Sequence, residues 1–69
     1  MERIAVSSSN IASVGYDSDS LTLEIEFNNG GIYQYYSVPE NIYTDLLNAG
    51  SVGSYFSHNI RNSYPTQKI

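Results

Sequence analysis

Apolar and polar residues alternate most regularly between positions 21 and 27. The odd positions are apolar (Leu21, Leu23, Ile25, Phe27) and the even positions are polar (Thr22, Glu24, Glu26). This period of two predicts an antiparallel strand with one buried face. Glu24 and Glu26 are then expected to form a charged outer face that keeps the sheet soluble.

A glycine turn follows this strand and predicts a β-hairpin. Asn28-Asn29-Gly30-Gly31 tolerates positive φ, and the return strand is expected over residues 32–36. The register stays open at this point. A two- or four-residue loop pairs Phe27 with Ile32, whereas a three-residue loop over residues 29–31 pairs Phe27 with Tyr33. The second is preferred because it buries two tyrosine rings, rather than an amide, beside Phe27 and Ile25.

Two further strands are predicted before this hairpin. In the segment from Ile11 to Tyr16, positions 12, 14 and 16 share one face and positions 11, 13 and 15 the other. The link over residues 17–20 is rich in Asp and Ser, which favour turns. A short strand near Arg3 to Val6 could add to an edge, and the polar run from Ser7 to Asn10 is expected to be a loop.

The hydrophobic period changes after the sheet and predicts two helices. Pro39 suits the first helical position and Gly50 is a good terminator. Ser51 can cap a second helix, in which Val52, Phe56 and Ile60 recur every four residues. Tyr64-Pro65 is expected to end regular structure and leave a short tail. The predicted fold is one α+β domain over residues 1–69: a small antiparallel β-meander of three to four strands, then two short C-terminal helices packed on one face.

Composition limits the chemistry that the chain can support. It has 69 residues, no cysteine and one histidine, and seven of its nine aromatic residues are tyrosines. No disulfide, metal-ligand spacing or phosphate-binding glycine loop is present, so no cofactor is expected. The lack of cysteine fits a reducing cytosol, which predicts a cytoplasmic location. No signal peptide is apparent, and the apolar runs are far too short to span a membrane.

The net charge is −4, from seven acids against Arg3, Arg61 and Lys68. Nucleic-acid binding usually depends on basic residues that neutralise phosphates. The charge therefore argues against duplex DNA as a partner. Single-stranded RNA is less firmly excluded, because stacking on tyrosine rings can carry part of the affinity.

Several short motifs, in their order along the chain, resemble the KTSC domain. They are Val14-Gly15-Tyr16-Asp17, Leu23 to Phe27 with its glycine turn, Tyr33-x-Tyr35, Val38-Pro39, Ala49-x-Ser51-x-Gly53, Tyr55-Phe56, and Ile60-Arg61 with Tyr64. That domain occurs at the C-terminus of some lysyl-tRNA synthetases and as small bacterial and phage proteins. The resemblance, which runs from about Ser8 to Tyr64, implies RNA binding by association. It implies no aminoacylation, because the catalytic portion of a synthetase is absent.

Two groups of residues are candidate contacts. Tyr33 and Tyr35 lie two apart, so both rings leave the same face of a strand, either as a stacking platform or packed under the helices. The second group is Tyr55, His58, Asn59, Arg61 and Tyr64. Arg61 can contact a phosphate or carboxylate with both arms of its guanidinium, or it can pair with one of the abundant acids.

Three hypotheses for function follow. The first is a non-enzymatic binding module for RNA or a nucleotide. The second is a protein-interaction or homodimerisation module, because Tyr and Arg are enriched at interfaces. The third and weakest is an enzyme such as a small nuclease, which would need Arg61 and His58 to meet an acid in one cleft.

Overall fold

The computed structural model describes all 69 residues and has the predicted α+β architecture. Its five strands form one antiparallel sheet in the order β1-β2-β3-β4-β5. The two helices follow the fourth strand. The elements are β1 (Arg3–Ala5), β2 (Ile11–Asp17), β3 (Thr22–Phe27), β4 (Ile32–Tyr35), α1 (Glu40–Asn48), α2 (Val52–Asn59) and β5 (Thr66–Lys68).

Strand β2 contains a bulge that changes which of its residues reach the core. Ile11 pairs with Phe27 but Ser13 pairs with Glu26, so the register shifts between them. The extra residue brings both Ile11 and Val14 into the core with no exposed surface. The prediction that they lie on opposite faces was therefore wrong, because it assumed an unbroken period of two.

The β3–β4 hairpin has a three-residue loop, but neither of the two registers considered is right. The Gly30 N–H donates to the Phe27 carbonyl at 2.9 Å, and the Phe27 N–H donates to the Gly31 carbonyl at 2.8 Å. The loop is therefore residues 28–30, and Ile25 pairs with Tyr33. Gly30 has a φ of 94°, which this loop requires at its third position. The shift is two residues, so Tyr33 and Tyr35 still share the face of Ile25, as predicted.

The outer face of the sheet carries a polar network instead of a simple solvated surface. The Arg3 guanidinium pairs with Glu24 and donates from Nε to Ser13 Oγ at 3.0 Å. Ser13 Oγ donates to Glu26 at 2.8 Å, and Gln34 Nε2 donates to Glu24 at 2.9 Å. Glu24 lies on the predicted face but is only 8% exposed. The expectation of a solvated charge was wrong for it.

The helices begin and end close to the predicted positions. Pro39 precedes α1 as its N-cap rather than occupying the first helical position, because its ψ of 150° is extended. Helix α1 ends at Asn48, and the chain leaves it through an extended Ala49, before Gly50. Ser51 caps α2 as predicted, accepting from the Ser54 N–H at 3.2 Å. No helix is long and apolar enough to cross a membrane.

The segment after Pro65 is a fifth strand, so the prediction of an irregular tail was wrong. Thr66, Gln67 and Lys68 pair with Tyr35, Gln34 and Tyr33 of β4. Hydrogen bonds from Tyr36 N–H to the Pro65 carbonyl and from Ile69 N–H to the Ile32 carbonyl extend the pairing at both ends. All three strand residues are exposed. The segment has no apolar alternation, which is why the sequence did not reveal it.

The hydrophobic core lies between the inner face of the sheet and the two helices. It contains ten buried residues, which include Leu46 of α1, Phe56 of α2 and Ile60 together with Leu23 and Ile25 of β3. The predicted apolar positions of α2 are all buried, which confirms the period of four. The two helices thus cover one face of the sheet, as predicted.

Candidate functional site

A cleft of about 640 Å³ opens at one end of the sheet, between the β1–β2 loop, the β3–β4 hairpin and α2. Its lining combines aromatic rings with uncharged polar side chains, and its single charged residue is Arg61. The twelve lining residues are Ser9, Asn10, Ile11, Phe27, Asn28, Asn29, Tyr33, Tyr35, Gly53, Phe56, Ser57 and Arg61.

Four aromatic rings in the lining hold one another in fixed orientations. Phe56 meets Tyr35 and Phe27 edge-to-face, with ring centroids 5.4 and 5.5 Å apart. Phe27 in turn meets Tyr33 edge-to-face at 5.6 Å. Such contacts add stability beyond the area that they bury. The rings of β3 and β4 are therefore braced by Phe56 of α2.

Tyr35 has a buried ring and a hydroxyl that faces the cleft. The residue is only 4% exposed, yet its hydroxyl makes no hydrogen bond within the protein, unlike the hydroxyl of the adjacent Tyr36. No buried side-chain oxygen or nitrogen lacks a partner, so this hydroxyl reaches solvent through the cleft. Burial raises the pKa of Tyr35, and the neighbouring Tyr33 raises it further, against the opposing charge of Arg61. The hydroxyl thus stays protonated at neutral pH and can donate to a ligand.

Arg61 is held at the edge of the cleft by the end of α2. Ile60, directly before it, is fully buried, and the Arg61 N–H donates to the Phe56 carbonyl at 3.0 Å. The side chain is exposed and forms no ion pair, since both ion pairs of the chain belong to Arg3. The simpler interpretation, in which Arg61 pairs with an acid, is not what the structure shows.

Asparagines form the polar rim of the cleft. Asn28 Nδ2 donates to the Ser9 carbonyl at 2.9 Å, and the Asn28 N–H donates to the Asn10 carbonyl at 2.8 Å. These bonds tie the hairpin to the β1–β2 loop. Asn29 Oδ1 accepts from the Gly31 N–H at 2.9 Å, which leaves its amide nitrogen free. A free amide nitrogen of this kind can donate to a ligand.

Gly53 allows the first turn of α2 to approach the β1–β2 loop. A Cβ at this position would lie 3.2 Å from Ser8 Oγ and 3.9 Å from Asn10 Nδ2. Ser8 Oγ itself accepts from the N–H groups of Asn10 and Ile11, each at 3.3 Å, so the serine run is a local cap. A glycine at position 53 therefore allows close packing between α2 and the β1–β2 loop.

The structure divides the predicted contacts between two places. Tyr33 and Tyr35 of the first group and Arg61 of the second all line the cleft. Tyr55, His58, Asn59 and Tyr64 do not line it.

The four residues outside the cleft interact mostly within the helical half of the protein. His58 Nδ1 lies 2.8 Å from the Ser54 carbonyl, and Asn59 Nδ2 donates to the Tyr55 carbonyl at 3.2 Å. Burial raises the pKa of Tyr55, helped by the charges of Asp45 and Tyr64, so these side chains lie near one another. His58 and Arg61 thus do not converge with an acid in one cleft.

Sequence reasoning missed three polar residues of the lining, Asn28, Asn29 and Ser57. Asn28 and Asn29 were interpreted only as turn residues, and Phe27 and Phe56 only as core. Ser57 carried no signal at all. The glycine at position 53 was the one available indication that α2 approaches another segment closely.

The fold is that of a small domain with one antiparallel sheet and two helices, and this chain carries a Tyr-x-Tyr pair on the fourth strand. The model of the KTSC domain family matches residues 7–64. The chain belongs to the KTSC domain family.

Relatives and a solved structure support this assignment. A protein of Stutzerimonas stutzeri (strain A1501) is 42% identical over 57 residues, which are 83% of this chain and 80% of that protein. A lysine–tRNA ligase of Nostoc punctiforme is 34% identical over 59 residues, which are 86% of this chain but only 10% of the ligase. The crystal structure of a KTSC domain protein from Yersinia pestis matches with a TM-score of 0.96 at 43% identity, covering 99% of this chain and 96% of that one.

Proposed function

We propose that the protein is a non-enzymatic binding module whose cleft holds a nucleotide unit of single-stranded RNA. One observation carries the proposal: the only charged residue in the cleft is an unpaired Arg61, beside Tyr33 and Tyr35. None of the seven acids of this acidic chain lines the cleft. The cleft therefore offers a local positive site on a molecule of net negative charge.

The lining provides the contacts that a nucleotide needs. The Arg61 guanidinium can bind phosphate oxygens with two parallel hydrogen bonds, and the Tyr35 hydroxyl can donate a third. The half-buried Tyr33 ring offers a surface for a base, since base–aromatic stacking contributes about 1–3 kcal/mol per base. The amides of Asn10 and Asn29 are placed to hydrogen-bond a base edge.

The relatives make RNA the preferred anionic ligand. Lysine–tRNA ligases of three cyanobacteria share this domain as about 10% of their length. Those proteins are named for a reaction on tRNA, and a domain that contacts RNA would be useful to them.

The same lining supports a role without catalysis. General acid–base catalysis is most often carried out by His, Asp or Glu, and none of these lines the cleft, where the remaining proton donors besides Arg61 are hydroxyl and amide groups. No group of three such residues that could hold a metal ion occurs elsewhere. The proposal includes a cytoplasmic location, which the lack of cysteine favours.

The test is binding of labelled single-stranded RNA at low salt to the wild type and to R61Q. Losing the guanidinium should weaken binding at least tenfold, because charge-assisted hydrogen bonds are worth about 1.5–3 kcal/mol. N41D is the matched control, since it brings the net charge to the same −5 from an exposed position on α1 outside the cleft. Absence of wild-type binding at low salt, or equal losses in both variants, would contradict the proposal.

Self-association or binding of another protein is the alternative function. The observation in its favour is that both edge strands are open, with Ile4 on β1 54% exposed and Ile69 after β5 64% exposed. Unpaired edges can add a strand from another chain. Light scattering separates the two functions: a dimer that forms without RNA and excludes it would favour the alternative.

A further inference from the structure

Strand β5 places a second cation beside the tyrosine pair. Lys68 pairs with Tyr33 across the antiparallel β4–β5 ladder, and directly opposed residues project to the same face, with Cβ atoms about 4.5–5.5 Å apart. Side chains alternate between the two faces along β5. Gln67, the residue before Lys68, points to the outer face, where it accepts a hydrogen bond from the Tyr36 hydroxyl at 3.2 Å. Lys68 therefore lies on the cleft side of the sheet.

The two cations occupy different positions along the pair. Arg61 lies close enough to Tyr35 to oppose the rise in that hydroxyl's pKa, and Lys68 stands beside Tyr33. Tyr33 and Tyr35 are two residues apart on one strand, which is about 6.7 Å. The basic side chains are thus matched one to each tyrosine.

Both cations are free to bind a ligand. Arg3, the third basic residue, is committed to Glu24 and Glu26 on the outer face. Lys68 is exposed and, like Arg61, forms no ion pair. The tyrosine pair thus has two unpaired basic side chains near it, although the net charge of the molecule is −4.

We propose that Lys68 is a second phosphate contact, so that the ligand is a single-stranded segment with at least two phosphates rather than a mononucleotide. This inference rests on the proposed function of the cleft. One phosphate binds at Arg61 and the Tyr35 hydroxyl. The strand then crosses Tyr33 and leaves over β5, where Lys68 meets another phosphate.

The number of phosphate contacts can be measured from salt dependence. For single strands, the logarithm of the binding constant falls by about 0.7 per contact for each decade of salt. Two contacts give a slope of about −1.4, so raising salt from about 50 to 200 mM weakens binding about sevenfold. One contact gives a slope of about −0.7 and a loss of about threefold.

The experiment compares labelled octauridylate with uridine 5′-monophosphate on the wild type, K68Q, R61Q and the control N41D. We expect the slope for octauridylate to fall from about −1.4 in the wild type to about −0.7 in K68Q and in R61Q. K68R should keep the wild-type slope. K68Q should leave the affinity for the monophosphate unchanged within twofold, because that ligand cannot reach both cations. The melting temperature of each variant verifies that β5 remains folded.

The two proposals fail in different ways. If R61Q loses octauridylate binding while K68Q keeps the wild-type affinity and slope, Lys68 is not a contact and the cleft proposal stands. If the wild type binds neither probe at low salt, both proposals fall. A wild-type slope near −0.7 with equal affinity for both probes would also overturn the second contact.

Discussion

Tyr35 shows how one side chain can serve the core and the cleft at once. Its ring is sealed against Phe56, while its hydroxyl has no partner in the protein. A tyrosine at the core usually satisfies its hydroxyl, as the partly buried Tyr16 does by donating to the Val38 carbonyl. The two hypotheses for the Tyr-x-Tyr pair, packing or recognition, are therefore not exclusive at this residue.

Substitution separates the two roles of Tyr35. We expect Y35F to change the free energy of unfolding by less than about 1 kcal/mol, since no intramolecular hydrogen bond is lost. Y35A should cost about 3–5 kcal/mol because it empties a core position. Urea denaturation followed by circular dichroism measures both. The affinity of Y35F for labelled RNA should fall about tenfold or more, because the hydroxyl is proposed to donate to a charged phosphate oxygen and such a bond is worth about 1.5–3 kcal/mol.

Strong destabilisation of Y35F would contradict this account of the Tyr35 hydroxyl. A Y35F variant as destabilised as Y35A would show that the hydroxyl has a structural partner. Y33F is the matched control for the binding measurement, because Tyr33 lines the same cleft with a half-exposed ring. Its hydroxyl is not required for stacking, so a smaller effect on affinity is expected there.

At the scale of elements, the hairpin was predictable in kind but not in register. The alternation from Leu21 to Phe27 and the following asparagines and glycines identify it from sequence alone. With two adjacent glycines, the sequence does not show which one adopts positive φ. That choice determines which residues form the loop and therefore the register of the hairpin. Gly30 adopts the positive φ, at 94°, and Asn29 supports it by accepting from the Gly31 N–H.

Strand β5 was missed for a related reason. Its three residues are all polar and exposed, so nothing in the chain distinguishes them from a tail. They become a strand only because β4 presents an open edge to them. The bulge in β2 is a similar case. One additional residue in the strand changes which face the following side chains point to, and the order of apolar and polar residues gives no sign of it.

The outer-face network joins β1 to β3 and β4, and its stability depends on pH. Burial alone would raise the pKa of Glu24, but hydrogen bonds from Gln34 and Arg3, and the charge of Arg3, lower it below the ordinary value. A lowered pKa means that the unfolded chain binds the proton more readily than the folded protein. The stabilisation is complete above the ordinary glutamate value of about 4.3 and is lost as pH falls through the lower folded value.

The variant E24Q tests this network. At pH 7 it should be less stable than the wild type by about 1–3 kcal/mol, because hydrogen bonds to a charged group are lost. The difference should shrink as the pH falls below about 4, where Glu24 in the wild type also becomes neutral. Urea denaturation at a series of pH values measures it. E26Q is the control: its side chain is 34% exposed against 10% for Glu24, so its effect should be smaller. A difference that does not vary with pH would refute this account.

At the scale of the whole molecule, the cleft exists only because distant segments meet. The β1–β2 loop, the β3–β4 hairpin and the end of α2 each contribute to it. Residue chemistry identified Tyr33, Tyr35 and Arg61 in advance. It also grouped Arg61 with Tyr55 and His58, because spacing along a helix does not reveal that the chain turns away after Ile60.

Ile60 links the stability of the molecule to the position of Arg61. It is fully buried in a core of only ten residues, and its N–H closes α2 by donating to the Phe56 carbonyl at 3.0 Å. A small domain commonly has a total stability of about 5–15 kcal/mol. We expect I60A to remove about 2–5 kcal/mol of it, a large share for a chain of this size.

The milder variant I60V keeps the core filled and serves as the control. It should cost about 0.5–1.5 kcal/mol, which lowers the melting temperature by about 2–12 °C, and it should bind RNA as the wild type does. I60A should lose affinity in proportion to its unfolded fraction, and excess RNA should raise its melting temperature, because a ligand that binds only the folded state stabilises it. If I60A instead stayed as stable as I60V, the end of α2 would not be anchored by this side chain, and the position of Arg61 would need another explanation.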